Sequence, residues 1–257
     1  MFTAHNVRLN DGTLTKPDTP FDMSKCPEFK SAKRVLSLVF PDGLKGKSIV
    51  DLGCLEGGYT AEFARLGMNA LGIEVRKVNY DNCMLVKNGV DLPNLTFAHD
   101  TVWNVAKYGP FDAVFCCGLL YHLDRPREFL RLMSGLCKKV MFLHTHFAME
   151  QDNKRWTLSP MTENEGFKGR WFSEHNGPPL EQLENCKWAS WENQKSFWMT
   201  RASILQALSE NEFDTVLEQY DWLAEPSIAP CIEAAMTGGV YDRDWRSMFI
   251  GIKTGIK

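Results

Sequence analysis

The stretch Ile49-Val50-Asp51-Leu52-Gly53-Cys54-Leu55-Glu56-Gly57-Gly58-Tyr59-Thr60 decides the fold. A short apolar strand runs into an acid, and a glycine-rich turn then opens a helix. Gly53 permits a tight turn, and Gly57 and Gly58 let a ligand approach the backbone closely. A turn of this kind sits at the carboxyl end of a strand, where open α/β sheets bind ligands.

The flanking sequence repeats the alternation. Glu28–Phe40 is helical by its apolar spacing and stops at Pro41-Asp42-Gly43. Lys47–Leu52, Asn69–Glu74, Leu95–Ala98, Asp112–Cys117 and Lys139–His144 read as five strands, with helices over Glu56–Leu66, Lys77–Lys87 and Arg127–Cys137. Phe213–Gln219 and Ser247–Lys253 add two late strands, expected as a hairpin-like edge. The expectation is an α/β fold: a doubly wound, seven-stranded, mostly parallel sheet with helices on both faces. Residues 1–27 read as an irregular N-terminal arm, and 28–257 as one domain. Residues 150–198, with little periodicity, form an insert after the fifth strand, where a lid, a satellite core or a dimer surface would each suit Trp156, Trp171, Phe172, Trp188, Trp191, Phe197 and Trp198.

Composition narrows the classes. The chain has 257 residues, 44% hydrophobic and 24% charged, with a formal net charge of −3. That supports one sizeable core and no strongly basic field, so nucleic acid is disfavoured as a partner. Lys154, Arg155, Lys168 and Arg170 among the insert aromatics are offset by Glu163, Glu165, Glu174, Glu181 and Glu184. No apolar run is long enough to span a bilayer, and the first residues lack a signal-peptide pattern. The eight cysteines (26, 54, 83, 116, 117, 137, 186, 231) form no C-x-x-C pair and read as reduced thiols, with a cytoplasmic location expected.

The turn does not suit a dinucleotide or a nucleotide phosphate. Its spacing is G-x-x-x-G-G rather than G-x-G-x-x-G, and no Gly-Lys-Ser/Thr ending follows. Asp51 and Glu56 would repel a pyrophosphate and welcome a cation. Glu74, 21 positions after Gly53, is placed to accept both hydroxyls of a ribose. A cationic nucleoside without phosphate answers all of this, and S-adenosylmethionine is one.

D-L-G-C-L-E-G-G, then G-I-E, then F-D-A-V-F-C-C-G-L-L-Y-H-L resembles the class I S-adenosylmethionine-dependent methyltransferases over about residues 47–147. The resemblance implies a Rossmann-like methyltransferase fold. It implies that the Asp51–Gly58 turn, Cys54 included, carries the methionine part and that Glu74 holds the ribose. It further implies that Val75 and Arg76 border the adenine, that Asp100 reaches its amino group with Thr101 beside it, and that Cys117 and Gly118 face the amino-acid moiety. His5–Gly12 and G-L-L-Y-H-L-D-R-P are similar to a narrower subgroup that includes tRNA wobble-uridine carboxymethyltransferases and small-molecule enzymes. There the arm lies near the active site, and the tyrosine matching Tyr121 faces the transferable group.

The implied reaction moves a methyl group to an oxygen or nitrogen atom of a small-molecule acceptor, leaving S-adenosylhomocysteine. An acceptor that must lose a proton needs a base, and His122 at the ligand-binding edge is the first choice, ahead of His144 and His146. His144 and His146 share one side of their strand, so with His122 or Glu150 they are also conceivable ligands; no conventional metal spacing accompanies them, and no metal is expected. A homodimer is compatible with the insert's tryptophans. Two other classes fit the same residues: a tRNA-modifying transferase, and a cofactor-binding protein without catalysis.

Overall fold

In the computed structural model the order of elements follows the expected alternation, and residues 1–19, 22–152, 155–219 and 245–256 are described. Residues 20–21 of the arm, Lys154 and Cys231, which entered the sequence reading, lie outside them. Helix α1 (Pro27–Val39) starts on a proline, whose fixed φ suits the first turn, and buries Phe29, Ala32, Val35 and Leu36 on one face. Then come β1 (Ser48–Leu52), α2 (Gly58–Arg65), β2 (Asn69–Glu74), α3 (Lys77–Gly89), β3 (Leu95–His99) and β4 (Phe111–Cys117). They are followed by α4 (Pro126–Leu136), β5 (Cys137–His146), β6 (Thr162–Asn164), β7 (Phe167–Ser173), α5 (Leu180–Asn185), β8 (Lys195–Met199), α6 (Arg201–Glu210), β9 (Thr215–Gln219) and β10 (Arg246–Ile252).

The chain divides into two units, the first comprising residues 1–117 with 136–140 and the second the rest of the described chain. Seven strands make the mostly parallel sheet that the pattern predicts. In the first unit the strand order is β3-β2-β1-β4, with β1 pairing in parallel to β2 and β4. β2 pairs in parallel to β3, so that Glu74 stands beside His99. The carboxyl ends of these strands therefore carry Leu52, Glu74, His99 and Cys117 along one edge. Beneath the turn, Phe63 and Phe115 are fully buried with their ring centroids 5.0 Å apart, and Phe29 meets Phe63 at 5.6 Å.

In the second unit β10 and β9 are antiparallel, with Ile250 opposite Leu217, which is the edge expected of the last two strands. Residues 150–198 carry elements that periodicity did not reveal. β6, β7 and β8 form a separate three-stranded antiparallel sheet, and α5 is a short helix. The β6–β7 hairpin turns on Glu165 and Gly166, both with positive φ (52° and 82°). A Glu at such a position is not among the usual two-residue hairpin signals, which is why the turn was not visible in the sequence. Trp156, Phe172 and Trp198 pack together with centroids 5.3 to 5.9 Å apart, and Trp171 lies 5.0 Å from Phe197, so these rings form a satellite core.

Candidate functional site

The glycine turn is clasped by the N-terminal arm. Glu56 Oε1 accepts the Thr3 N–H at 2.8 Å and the Thr3 hydroxyl at 3.0 Å, while Oε2 accepts the N–H groups of Ala4 and His5, both at 2.9 Å. Asn82 Nδ2 also donates to Oε1. Burial would push Glu56 up, but the three backbone donors outweigh it and bring its pKa down to about 2. His5 completes the clasp: its Nδ1 accepts the Gly58 N–H at 2.9 Å, and burial lowers its pKa to about 4, so the ring is neutral. The charge of Glu56, expected to greet a cation, is thus engaged by the arm.

The glycines also have a packing reason. Gly57 has φ +75° and caps α2, and a Cβ there would lie 2.6 Å from the Phe97 ring. At Gly58 a Cβ would meet Met23 at 2.6 Å and His5 at 2.9 Å. The space that these two residues leave is filled by protein side chains, where the sequence reading reserved it for a ligand.

Two buried carboxyl groups lie under the turn. Asp51, on β1, accepts the Thr60 hydroxyl at 2.7 Å, and burial raises its pKa to about 7. Glu74 closes β2; its Oε1 accepts the Arg76 N–H at 2.8 Å and its Oε2 the Leu55 N–H at 2.9 Å. Burial raises Glu74 as well, against the pull of those two amides. Leu55 has φ +54°, and its amide is a partner of Glu74 that the sequence reading missed. Each Glu74 oxygen keeps a further lone pair for a hydroxyl donor.

The remaining expected contacts of this unit follow β2 and β3. Val75 O lies 2.9 Å from His99 Nε2, and His99 stacks on Tyr80. Arg76 is buried. Asp100 Oδ1 accepts the Asn104 amide at 2.7 Å and the Thr101 N–H at 2.8 Å, and the Tyr108 hydroxyl donates to Oδ2 at 2.9 Å. Led by the Asn104 bond, these contacts hold Asp100 below its ordinary value. Gly53 and Cys54 each donate an N–H to Ile73 O at 3.0 Å, tying the turn to β2. Cys54 Sγ lies 3.8 Å from Cys83 Sγ, and Cys117 is half-buried at the end of β4.

The histidines and Tyr121 belong to the second unit. Gly118, with φ +83°, donates its N–H to His144 O at 2.8 Å. Tyr121 packs against His122 (4.3 Å between centroids) and edge-on to His146 (4.7 Å), under the Arg246 guanidinium. His146 stacks on Trp198 and lies 3.2 Å from Trp245 O through Nδ1. Burial, then the Arg246 charge, pushes His146 down to about 3 and His144 well below its usual range. Both rings are neutral and poor proton acceptors at neutral pH. His122 differs: its Nδ1 lies 2.8 Å from Glu174 Oε1, and its side chain is 16% exposed. Among the described residues no three His, Cys, Asp or Glu side chains gather as a metal site would.

The sheet order, with a glycine turn after β1 and an acid closing β2, is the one found in class I S-adenosylmethionine-dependent methyltransferases. Residues 28–219 match the family model described as a methyltransferase domain, and the chain belongs to that family. It is 31% identical over 116 residues to the ubiquinone biosynthesis O-methyltransferase of Proteus mirabilis, covering 44% of this chain and 46% of that protein. It is 25% identical over 196 residues to the tRNA U34 carboxymethyltransferase of Sulfurimonas denitrificans, covering 69% of this chain and 64% of that protein. The chain thus spans about half to two thirds of the length of these curated relatives. The N-terminal domain of EvdMO1, solved with S-adenosylhomocysteine bound, shares the fold with a TM-score of 0.63 at 23% identity, over 88% of this chain and 81% of that one. Among the described residues no helix is long and apolar enough to cross a membrane.

Proposed function

We propose that this protein transfers the methyl group of S-adenosylmethionine to an oxygen or nitrogen atom of a small-molecule acceptor. The observation that carries the reading is Glu74, a buried carboxylate pinned by two backbone amides beside the glycine turn, with lone pairs left for two ribose hydroxyls. Burial disfavours the charged forms of Asp51 and Glu74, and a cationic, hydroxyl-bearing ligand relieves that cost.

In this reading Asp51, Gly53, Cys54, Glu56, Gly57 and Gly58 shape the methionine end, Val75, Arg76, Asp100 and Thr101 the adenine end, and Cys117 and Gly118 the amino-acid end. Glu56 acts through the arm that it holds. When bound, the cofactor supplies an electrophilic methyl group on a sulfonium, so the protein's share is to position the acceptor and take its proton. His122 takes that proton through Nε2, which is bonded to none of the described residues. Tyr121 packs on the His122 ring and limits its rotation. His144 and His146, kept neutral, serve as polar lining.

The acceptor is small in this reading because the chain carries a net charge of −3, which gives no electrostatic footprint for a polyanion. The second reading, a tRNA-modifying transferase, is favoured by the likeness to the tRNA U34 enzyme over 69% of the chain. Transfer from S-adenosylmethionine labelled in its methyl group, offered separately to bulk tRNA and to phenols, sugars and amines, tells them apart; label in tRNA alone rejects the small-molecule reading. For the site, calorimetric titration with S-adenosylhomocysteine is expected to show at least a tenfold loss of affinity in Glu74→Ala, on the order of 1.4 kcal/mol or more. Equal affinity would remove the ribose assignment.

A further inference from the structure

Glu174 stands directly after β7, in the insert, and its surroundings are built around one histidine. Oε1 lies 2.8 Å from His122 Nδ1, and Oε2 accepts the Ser190 N–H at 2.9 Å. The Glu174 side chain is only 1% exposed. Its own N–H donates to Gln194 O at 2.9 Å, and Asn193 Nδ2 donates to the His122 carbonyl at 3.1 Å. The loop before β8 therefore grips both the carboxylate and the backbone that carries the imidazole. Burial would push Glu174 up, but the bonds from His122 and Ser190 prevail and hold it below its usual range, so it is ionised at neutral pH. An ionised carboxylate can only accept. The proton on the neutral ring must then sit on Nδ1, which leaves the Nε2 lone pair bare.

We propose that Glu174 is a positioning residue for methyl transfer: it fixes the Nδ1–H tautomer of His122 and aims Nε2 at the acceptor's proton. This rests on the reading that the acceptor is an oxygen or nitrogen that must be deprotonated. In the step, Nε2 takes the proton of an alcohol, phenol or N–H acceptor. The acceptor's electron pair forms the bond to the methyl carbon, and the carbon–sulfur pair returns to sulfur. The imidazolium so formed faces the Glu174 carboxylate and afterwards gives its proton to water. A carboxylate that orients an imidazole in this way is a recurrent device of general-base sites. It makes the insert part of the catalytic apparatus, beyond any role as cover.

Nitrogen-15 NMR of the imidazole nitrogens tests the proposal on the whole protein without needing an acceptor. With the ring in its neutral form, wild type is expected to show the His122 proton on Nδ1. Glu174→Ala is expected to shift it toward the Nε2–H form that free histidine prefers, and Glu174→Asp to restore Nδ1–H in part. Glu174→Leu, which has a similar volume and no acceptor, replaces the Ala variant if that one does not fold. With an acceptor returned by the labelling screen, kcat is expected to fall about 10²-fold in Glu174→Ala, while affinity for S-adenosylhomocysteine is unchanged. An Nε2–H ring in wild type, an unaltered tautomer in Glu174→Ala, or full kcat in that variant overturns the proposal. If wild type labels nothing, the transferase reading fails, whereas the tautomer assignment still stands or falls on the spectra.

Discussion

At the scale of single residues, three histidines of one unit are separated by their surroundings. His144 and His146 lie on a buried strand and are driven neutral by desolvation, His146 to about 3. Bases so weak are poorly matched to proton abstraction at neutral pH. His122 is partly open and faces an ionised carboxylate, which suits proton abstraction. His122→Ala is therefore expected to lower kcat by about 10²- to 10⁴-fold with unchanged binding of S-adenosylhomocysteine. Steady-state rates with calorimetry check this, and undiminished turnover through neutral pH would exclude His122 as the base.

At the scale of elements, the arm and the first turn of α2 form one latch. Its parts titrate in the same direction. His5 is held neutral, so the docked arm binds fewer protons than a free one. The contribution of His5 is complete above its ordinary 6.5 and is lost as the pH falls through about 4. Glu56, depressed from 4.5 to about 2, contributes above the upper value and is lost in turn between the two. Asp51 works oppositely, its raised carboxyl costing stability as the pH climbs from 3.8 through about 7. A global melt therefore mixes the two effects, and a local probe separates them. Amide hydrogen exchange of Thr3–His5, corrected for intrinsic rate, is expected to show less protection at about pH 4.5 than at about pH 7.5. Equal protection at both would mean that the latch does not depend on these groups.

At the scale of the molecule, a ligand that binds only the folded form adds stability by mass action. S-Adenosylhomocysteine at about 100 times its Kd should add about 2.7 kcal/mol. For a chain of this length that is on the order of 5–10 °C in Tm. At the same ligand concentration the increment should fall to about half or less in Glu74→Ala, about 1.4 kcal/mol at a tenfold loss of affinity, because the folded site then loses its ribose acceptor. Scanning calorimetry of both proteins checks this, and no shift in wild type at saturating ligand would contradict a site at the glycine turn.

Periodic burial is a local property, so it was legible in the chain. Short apolar runs separated by amphipathic helices determined the alternating parallel sheet, and the strand–acid–glycine pattern with Glu74 at its offset marked the sheet edge at which the cofactor is proposed to bind. The β6–β8 sheet escaped because its hairpin turns on Glu165 rather than on a residue that favours positive φ. What a carboxylate does depends on neighbours far away in sequence. Only the tertiary structure decided that Glu56 holds residues 3–5, and that Glu174, one acid among several in the insert, lies 2.8 Å from His122. Sequence sets which backbone shapes are cheap, residue by residue, while a hydrogen bond between residues 52 apart exists only once the core has brought them together.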